Sequence, residues 1–361
     1  MARGPGAEPR AKLRRLRRIA LLALSTAAAL ACAPAPRGSA QGGASLPVGA
    51  TPLVGAAPKG SVAPRVSATP SVSAAPKGAV ASADAANAPP LLRSHGYEVW
   101  LDDQTGDAQH AAELNSWVER ALAAVSETTG GAAERIHLLA QRGDAGATTR
   151  GRTITLNLED GPRPRQPSSE WVLPHELIHA SFPSLWDPDL WLEEGLATYL
   201  EPLVRVRAGQ LAEGEMWSDL ARDLPQGKPR FGEGGLRGTR TWHRLYWQGA
   251  VFWLQAELAI FQRTSGQHNL TDALCAWARL EDSDDFGAEQ AFTAMDAALG
   301  QPILFDLYRK ASARGIDQNP TRLLAELGVT RTAAGVAFQA DAPAAELRRR
   351  LTQPSPRPCM R

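Results

Sequence analysis

The distribution of aromatic residues divides the chain into a part that can form a packed core and a part that cannot. None of the first 96 residues is Phe, Tyr or Trp, and all ten tryptophans follow Tyr97. Burial of large apolar side chains is what offsets the chain entropy lost on folding. A folded domain is therefore predicted over 91–361, and its roughly 270 residues are enough for one catalytic domain of two lobes.

The first 31 residues are predicted to be a targeting segment. Basic residues from Arg10 to Arg18 precede an apolar run of 13 residues, 19–31, which is too short for an ordinary transmembrane helix. The run ends in small residues and Cys32, a pattern that resembles the lipobox of bacterial lipoproteins. We therefore expect residues 1–31 to be a signal peptide and a lipid on Cys32 to hold the protein at a membrane of the bacterial envelope, outer-membrane or periplasmic. Ordinary secretion is the alternative.

Residues 32–90 are predicted to be a disordered tether that begins at the lipid-anchor cysteine. They are rich in Ala, Pro, Gly and Ser, and the sequence AAPKG occurs at 56–60 and again at 74–78. Such a composition offers too little apolar surface to compensate the entropy of ordering the chain. A tether after an anchor would let the folded domain reach away from the membrane.

The charge of the folded part argues against a nucleic-acid partner. Residues 91–361 hold 28 of the 39 Lys and Arg and 36 of the 38 Asp and Glu, a net charge of −8. Proteins that bind nucleic acid normally carry a basic footprint, which this region lacks. Nothing in the charge pattern indicates an oligomeric state.

Two further cysteines, Cys275 and Cys359, lie in the folded part. In an exported protein they can form one disulfide that ties the C-terminal tail to the body. A pair of free thiols is the alternative, because the sequence gives no distance between the two residues.

Hydrophobic periodicity predicts strands first and helices afterwards. Alternating apolar residues indicate strands at 97–103, 135–141 and 152–158, and a helix at 107–131 separates the first two. Helical patterns follow to the C-terminus, including 203–223 and an apolar helix at 242–263, with a Gly-rich loop at 225–241. This loop would be either a lid over the site or an inert linker. We predict an α+β fold, a small mixed sheet followed by a mainly helical lobe.

The segment HELIH, from His175 to His179, carries the clearest chemical signal. Residues four apart lie about 40° from each other around a helix, so the two imidazoles project from one face. This is the separation that one zinc ion requires. Glu176 lies on the same turn but is offset, so it would reach a water molecule at the metal without being a ligand. A solvated helix face is the alternative.

A second acidic segment follows at a suitable distance. Fourteen residues separate His179 from Glu194, enough to end one helix and bring a second alongside it. Asp187 and Pro188 are expected to be the N-cap and the first residue of that second helix. Two histidines and one glutamate, with an open fourth position, form a ligand set of catalytic zinc.

These residues resemble the gluzincin metallopeptidases, the group that contains thermolysin and the alanyl and leucyl aminopeptidases. The family pattern, HExxH followed by W-L-x-E-G-x-A-x-Y, reads here as HELIH and WLEEGLATY. The resemblance implies that Glu194, and not Glu193, is the third zinc ligand. It also implies that Tyr246, in LYWQGAVFWL, stabilises the tetrahedral intermediate.

The resemblance is incomplete upstream of the first histidine. The aminopeptidases carry a G-x-M-E-N segment whose glutamate holds the free amine of the substrate. The corresponding region here, 145–160, reads AGATTRGRTITLNLED and contains no such block. Strict aminopeptidase activity is therefore not predicted, and the choice between endopeptidase and aminopeptidase stays open.

Other residues near the motif have alternative roles. Glu193 is expected to be a surface charge, and Tyr246 has the alternative of a core residue. Thr198 and Glu201 would either support the ligand histidines or serve the helix itself. His243 would either line the site or be unrelated to it. The tryptophans around the motif, Trp242 among them, are expected in the core.

Together these observations predict an exported zinc peptidase with its cleft between the sheet and the helical lobe. His175, His179 and Glu194 would hold one Zn²⁺, Glu176 would act as general base, and Tyr246 would donate a hydrogen bond to the oxyanion. The substrate would be a peptide or protein, and strand 152–158 would pair with it if that strand forms the cleft edge. The alternative is a catalytically inactive envelope lipoprotein that uses the same scaffold for binding or assembly.

Overall fold

The computed structural model describes residues 91–361 apart from 107, 131–134, 144–145, 159–169, 186–187, 228–233, 240, 282, 284–285, 355–358 and 360–361. The predicted signal peptide, Cys32 and the tether lie outside these residues. Within the described part, no helix combines the length and the apolar character needed to cross a membrane.

The N-terminal layer is a five-stranded mixed sheet. Its strands are β1 (Leu91–Ser94), β2 (Tyr97–Asp103), β3 (Ile136–Arg142), β4 (Gly146–Arg150) and β5 (Thr153–Leu158), in the spatial order β1-β2-β3-β5-β4. The three central strands run parallel, and each outer strand is antiparallel to its neighbour. Helix α1 (Ala108–Thr129) makes the crossover from β2 to β3, as a parallel pair requires.

The position of β4 corrects the expectation for the cleft edge. The predicted strand 152–158 corresponds to β5, which is paired with β3 on one side and β4 on the other. It therefore has no free edge for a peptide. The edge is β4, joined to β5 through a tight turn at Gly151, whose φ of 56° favours glycine.

The C-terminal part is mainly helical, as predicted, and the α+β class is confirmed. Four of its tryptophans are almost completely buried, Trp191, Trp217, Trp253 and Trp277, and large aromatic side chains dominate such cores. The helices are α2 (Val172–Ala180), α3 (Leu190–Arg207), α4 (Glu213–Asp223), α5 (Gly249–Arg263), α6 (Leu270–Ala278), α7 (Ala288–Leu299), α8 (Leu304–Arg314), α9 (Pro320–Glu326) and α10 (Ala345–Leu351).

Some predicted helix boundaries are wrong for identifiable reasons. Helix α3 begins at Leu190 with Asp189 at the cap position, not at Pro188. Asp187, the expected N-cap, lies outside the described residues. The helix predicted over 203–223 is in fact the end of α3 and the separate α4, because Gly209 adopts a left-handed φ of 70° after α3. The apolar helix predicted over 242–263 contains a π-helical turn, Arg244–Gln248, before α5. A short hairpin of β6 (Val329–Thr332) and β7 (Gly335–Phe338) was not predicted.

The two cysteines of the folded part form a disulfide. Cys275 in α6 is bonded to Cys359, with the two Cα atoms 5.5 Å apart. The tail also packs on the end of α1, where a Cβ at Gly130 would collide with the Cys359 backbone. The bond links residues 84 apart in sequence, and closing a loop of that size restricts the unfolded chain by about 4–5 kcal/mol in the chain-entropy account.

Candidate metal centre

Helix α2 presents its polar residues to the site because its apolar residues fill the core. Leu173, Leu177 and Ile178 are at most 1% exposed. Pro174 lies in the first turn, where its missing N–H leaves no helical bond unmade. His175 and Glu176 are themselves buried, so these polar groups require partners within the protein.

The structure brings the three predicted ligands together. The Nε2 atoms of His175 and His179 lie 3.2 Å apart, and Oε2 of Glu194 lies 3.5 Å from each of them. Ligand atoms at about 2.0–2.1 Å from a tetrahedral zinc are separated by about 3.3 Å. The three donor atoms thus have the spacing of one face of a zinc coordination tetrahedron.

One buried polar atom at this cluster provides a second test of fit. Oε2 of Glu194 is completely buried and makes no hydrogen bond, although both imidazole Nε2 atoms lie 3.5 Å away. Two imidazole nitrogens converge on it from α2. A buried carboxylate oxygen without a donor is costly, and one divalent cation would satisfy all three atoms. The residues present therefore fit zinc.

Burial and the neighbouring charges together set the pKa values of His179 and Glu194. Burial alone would lower the pKa of His179, but the carboxylates of Glu194, Glu176 and Glu193 together outweigh it and raise that pKa to about 9. Burial conversely raises the pKa of Glu194, but the His179 and His175 imidazoles outweigh it and hold that pKa far below its ordinary value. Metal binding at neutral pH would accordingly displace a proton from the site.

A close crossing of α3 and α5 places Glu194 at the site. A Cβ at Gly195 would collide with the backbone of Gly249, and a Cβ at Gly249 would collide with the carbonyl of Trp191. The Trp253 indole adds a hydrogen bond of 2.9 Å to the carbonyl of Leu192. The glycines that follow Glu194 and Tyr246 in the motifs are therefore needed for helix packing.

Tyr246 also reaches the site. Its ring stacks on the His175 ring, with centroids 6.0 Å apart and planes 19° from parallel. Burial, followed by the negative charge of Glu194, raises the pKa of Tyr246 well above its usual range. Like an ordinary tyrosine, Tyr246 is protonated at neutral pH, and its hydroxyl, which interacts with the Glu194 carboxylate, can donate a hydrogen bond.

Arg244, which the sequence reasoning missed, anchors the π-helical turn that carries Tyr246. This side chain is 1% exposed. Its Nε donates to Oε1 of Gln248 at 2.6 Å, and its Nη2 donates to the carbonyl of Gly234 at 2.6 Å. A π-helical turn within a helix is frequently found at functional sites. Hydrophobic periodicity alone does not distinguish such a turn from an α-helix.

Thr149 is a second contact that was not predicted. Its hydroxyl donates to Oε2 of Glu176 at 2.6 Å and lies 3.3 Å from the Glu176 carbonyl. At the C-terminal end of α2, Arg152 donates to the carbonyl of Ala180. The hairpin of β4 and β5 is therefore joined to α2 at its middle and at its C-terminal end. The order of the strands, which creates this contact, is not evident from the sequence.

Glu193 is not a free surface charge, which corrects the expectation. It is only partly exposed, and its Oε1 accepts hydrogen bonds from the Ser184 hydroxyl at 2.9 Å and from the Leu185 N–H. Burial raises the pKa of Glu193. This residue holds the turn between α2 and α3, whereas Glu194 next to it faces the histidines.

The other candidate residues occupy less central positions. Thr198 donates to the Glu194 carbonyl at 2.7 Å, and Glu201 accepts from Arg205 at 2.8 Å. Both contacts lie within α3. His243 is exposed, and Trp242 is 43% exposed rather than in the core. The Trp242 ring lies 6.0 Å from that of Tyr246, so it borders the site.

The described ends of the Gly-rich loop are packed against the helical lobe. Gly227 approaches the π-helical turn at the backbone of Gln248. Farther along, Arg237 lies 3.3 Å from Asp189, next to the start of α3. The interpretation of the whole loop as a lid falls partly on 228–233, outside the described residues.

Comparisons with known proteins agree with this geometry at the level of the fold. A model of the eCIS core domain matches residues 105–182, the segment that includes β4 and the HELIH helix. No curated protein sequence matches the chain significantly. An aminopeptidase N family protein from Idiomarina loihiensis has a similar structure, with a TM-score of 0.51 and 12% identity over 70% of this chain and 52% of that one.

A second similar structure is an M1 zinc metallopeptidase from Deinococcus radiodurans. It shows a TM-score of 0.44 and 20% identity over 64% of this chain and 52% of that chain. The chain spans about half the length of these structures. The described residues therefore share the fold of part of the aminopeptidase N family protein.

Proposed function

We propose that this protein hydrolyses peptide bonds in a zinc-dependent reaction. The observation that carries the proposal is the spacing of His175, His179 and Glu194. Their three metal-binding atoms lie 3.2–3.5 Å apart, and one of them, Oε2 of Glu194, is buried and makes no hydrogen bond. A zinc ion held there would activate a water molecule and polarise the substrate carbonyl.

Glu176 would be the general base of this reaction. It follows a ligand histidine directly in α2 but is held by Thr149 rather than by the ligand cluster. A carboxylate in this position would accept a proton from the attacking water and deliver it to the leaving amine. Because Glu176 is buried, bulk water would not compete for the proton.

Tyr246 would stabilise the charge that develops on the substrate carbonyl oxygen. Its ring stacks on His175 and its hydroxyl interacts with the Glu194 carboxylate, so the donor lies at the ligand cluster. A fixed donor that strengthens its bond as the oxyanion forms lowers the barrier selectively.

The edge strand β4 would bind the substrate backbone. Strand β5 covers one side of β4, and extended peptides commonly add to a free sheet edge. Strand β4 has the sequence GATTR and contains no carboxylate, so it offers no partner for the α-amine of a substrate. We therefore propose that cleavage does not depend on a free N-terminus.

The place of action is also a proposal. The signal-like segment and Cys32 would export the protein to the bacterial envelope and anchor it by a lipid. Residues 33–90 would then allow the catalytic domain to reach peptide or protein substrates near the membrane.

The test is hydrolysis by the full-length protein after zinc removal and replacement. The substrates are an unfolded protein and matched fluorogenic peptides with free or acetylated N-termini, and His179→Ala is the control. We expect one equivalent of zinc to restore cleavage of both peptides in wild type but not in the variant. A wild-type protein that binds one zinc and cleaves none of these substrates would instead be a binding scaffold.

A further inference from the structure

We propose that Thr149 is a positioning residue that orients the Glu176 carboxylate. The inference rests on the proposed function, because it assigns a role within the same site. Strand β4 would then have two roles: it would position the catalytic base, and it would bind the substrate backbone.

The contact between the two side chains is short and directed. The Thr149 hydroxyl donates to Oε2 of Glu176 at 2.6 Å, the length of a strong hydrogen bond to a charged oxygen. Glu176 is 9% exposed, so water has little access to replace this donor. The bond therefore leaves Oε1 as the oxygen that is available for a proton from the attacking water.

A glutamate needs such a donor because its last torsion is poorly fixed. Rotation about the bond to a carboxylate has broad, roughly two-fold minima. Without a partner, the carboxylate would sample orientations in which neither oxygen faces the reacting water. Misplacement of a catalytic group by about 1 Å can cost up to a hundredfold in rate.

The backbone of β4 fixes the donor itself. Thr149 pairs with Ile154 of β5, and Ile154 is completely buried. Because side chains alternate along a strand, Thr149 faces α2 while its neighbours Thr148 and Arg150 are exposed. A peptide that adds to β4 would thus lie on the strand that holds the base in place.

The experiment compares Thr149→Val, which removes the hydroxyl but keeps the shape, with Thr149→Ser, which keeps the hydroxyl. Thr153→Val is the matched control, since Thr153 is exposed on the neighbouring strand. We expect Thr149→Val to lower kcat about tenfold with KM and bound zinc unchanged. Thr149→Ser should restore most of the rate, and Thr153→Val should match wild type. A Thr149→Val variant with the wild-type kcat would overturn the proposal.

A measurement without turnover separates this inference from the proposed function. Thr149→Val, Glu176→Ala and the double variant form a cycle for urea unfolding of the zinc-loaded protein. Strict additivity would mean that the hydrogen bond contributes nothing in solution, and it would overturn the inference even if wild type cleaves peptides. Coupling in a zinc-loaded wild type that cleaves nothing would contradict the proposed function, and with it the catalytic role of Thr149.

Discussion

Gly195 and Gly249 are in backbone contact where α3 crosses α5, and a Cβ on either residue would occupy space filled by the other helix. Glu194 directly precedes the first glycine, and the turn that carries Tyr246 directly precedes the second. The crossing thus brings a ligand from one helix and a hydroxyl from the other to the same side of α2.

Replacement of Gly249 by Ala is expected to destabilise the protein by about 2–4 kcal/mol, because two backbones must separate to admit the methyl group. The control is Gly214→Ala, since Gly214 lies in helix α4 with nothing within 4 Å of a Cβ. That change should be neutral or stabilising by up to about 1 kcal/mol. Urea unfolding measures both, and equal stability of the two variants would show that the crossing is looser than described.

The adjacent glutamates of α3 should respond to alanine substitution in opposite ways. Glu194→Ala should lower zinc affinity strongly, because it removes a ligand atom. Glu193→Ala should retain zinc but lose about 1–3 kcal/mol of stability, since the Leu185 N–H loses its acceptor. Zinc titration and unfolding of both variants check this. Equal zinc affinities would contradict the assignment of Glu194 as the ligand.

Removal of the Tyr246 hydroxyl should affect the rate far more than substrate binding. Tyr246→Phe is expected to lower kcat by about a hundredfold, with KM nearly unchanged, as when one oxyanion donor is lost. Tyr199→Phe is the matched control, because the Tyr199 hydroxyl is buried without a hydrogen-bond partner. Steady-state kinetics should show wild-type rates for Tyr199→Phe. If Tyr246→Phe also retains full kcat, Tyr246 is a packing residue.

Glu257 should make stability depend on pH. Burial, partly opposed by the Leu270 N–H, raises the pKa of Glu257 to about 7. The native state therefore keeps a proton that the unfolded state releases above about pH 4.5, so stability falls as pH rises from there through 7. The loss would be up to about 3 kcal/mol.

Glu257→Gln keeps the hydrogen-bond acceptor for Leu270 but cannot ionise. The difference in unfolding free energy between this variant and wild type should therefore grow in favour of the variant from pH 5 to pH 8. A difference that is constant across this range would mean that Glu257 does not titrate in the native protein.

The sequence predicted the parts of this molecule that depend on local periodicity and on short motifs. The strand-then-helix order follows from hydrophobic spacing, and the convergence of His175 with His179 follows from one helical turn. The helix predicted over 107–131 is also present, as α1.

Features that depend on tertiary contacts were not predicted. The sheet places β4 outside β5, although β4 comes first in the chain, so Thr149 and its bond to Glu176 were missed. The π-helical turn at Arg244 requires a local change in hydrogen bonding that apolar spacing does not reveal. The burial of Glu193 depends on the turn at Leu185. The disulfide was one of two alternatives for Cys275 and Cys359, and the path of the C-terminal tail, which the sequence does not give, decides between them.

Glu176→Gln provides the decisive comparison, made on the full-length protein with zinc content and peptide hydrolysis measured on the same samples. The substitution removes the base and leaves His175, His179 and Glu194 in place. We predict one zinc per chain in both proteins, with hydrolysis in wild type and a loss of at least about a hundredfold in the variant. Loss of zinc from the variant would make Glu176 a ligand, and undiminished hydrolysis would mean that the base lies elsewhere.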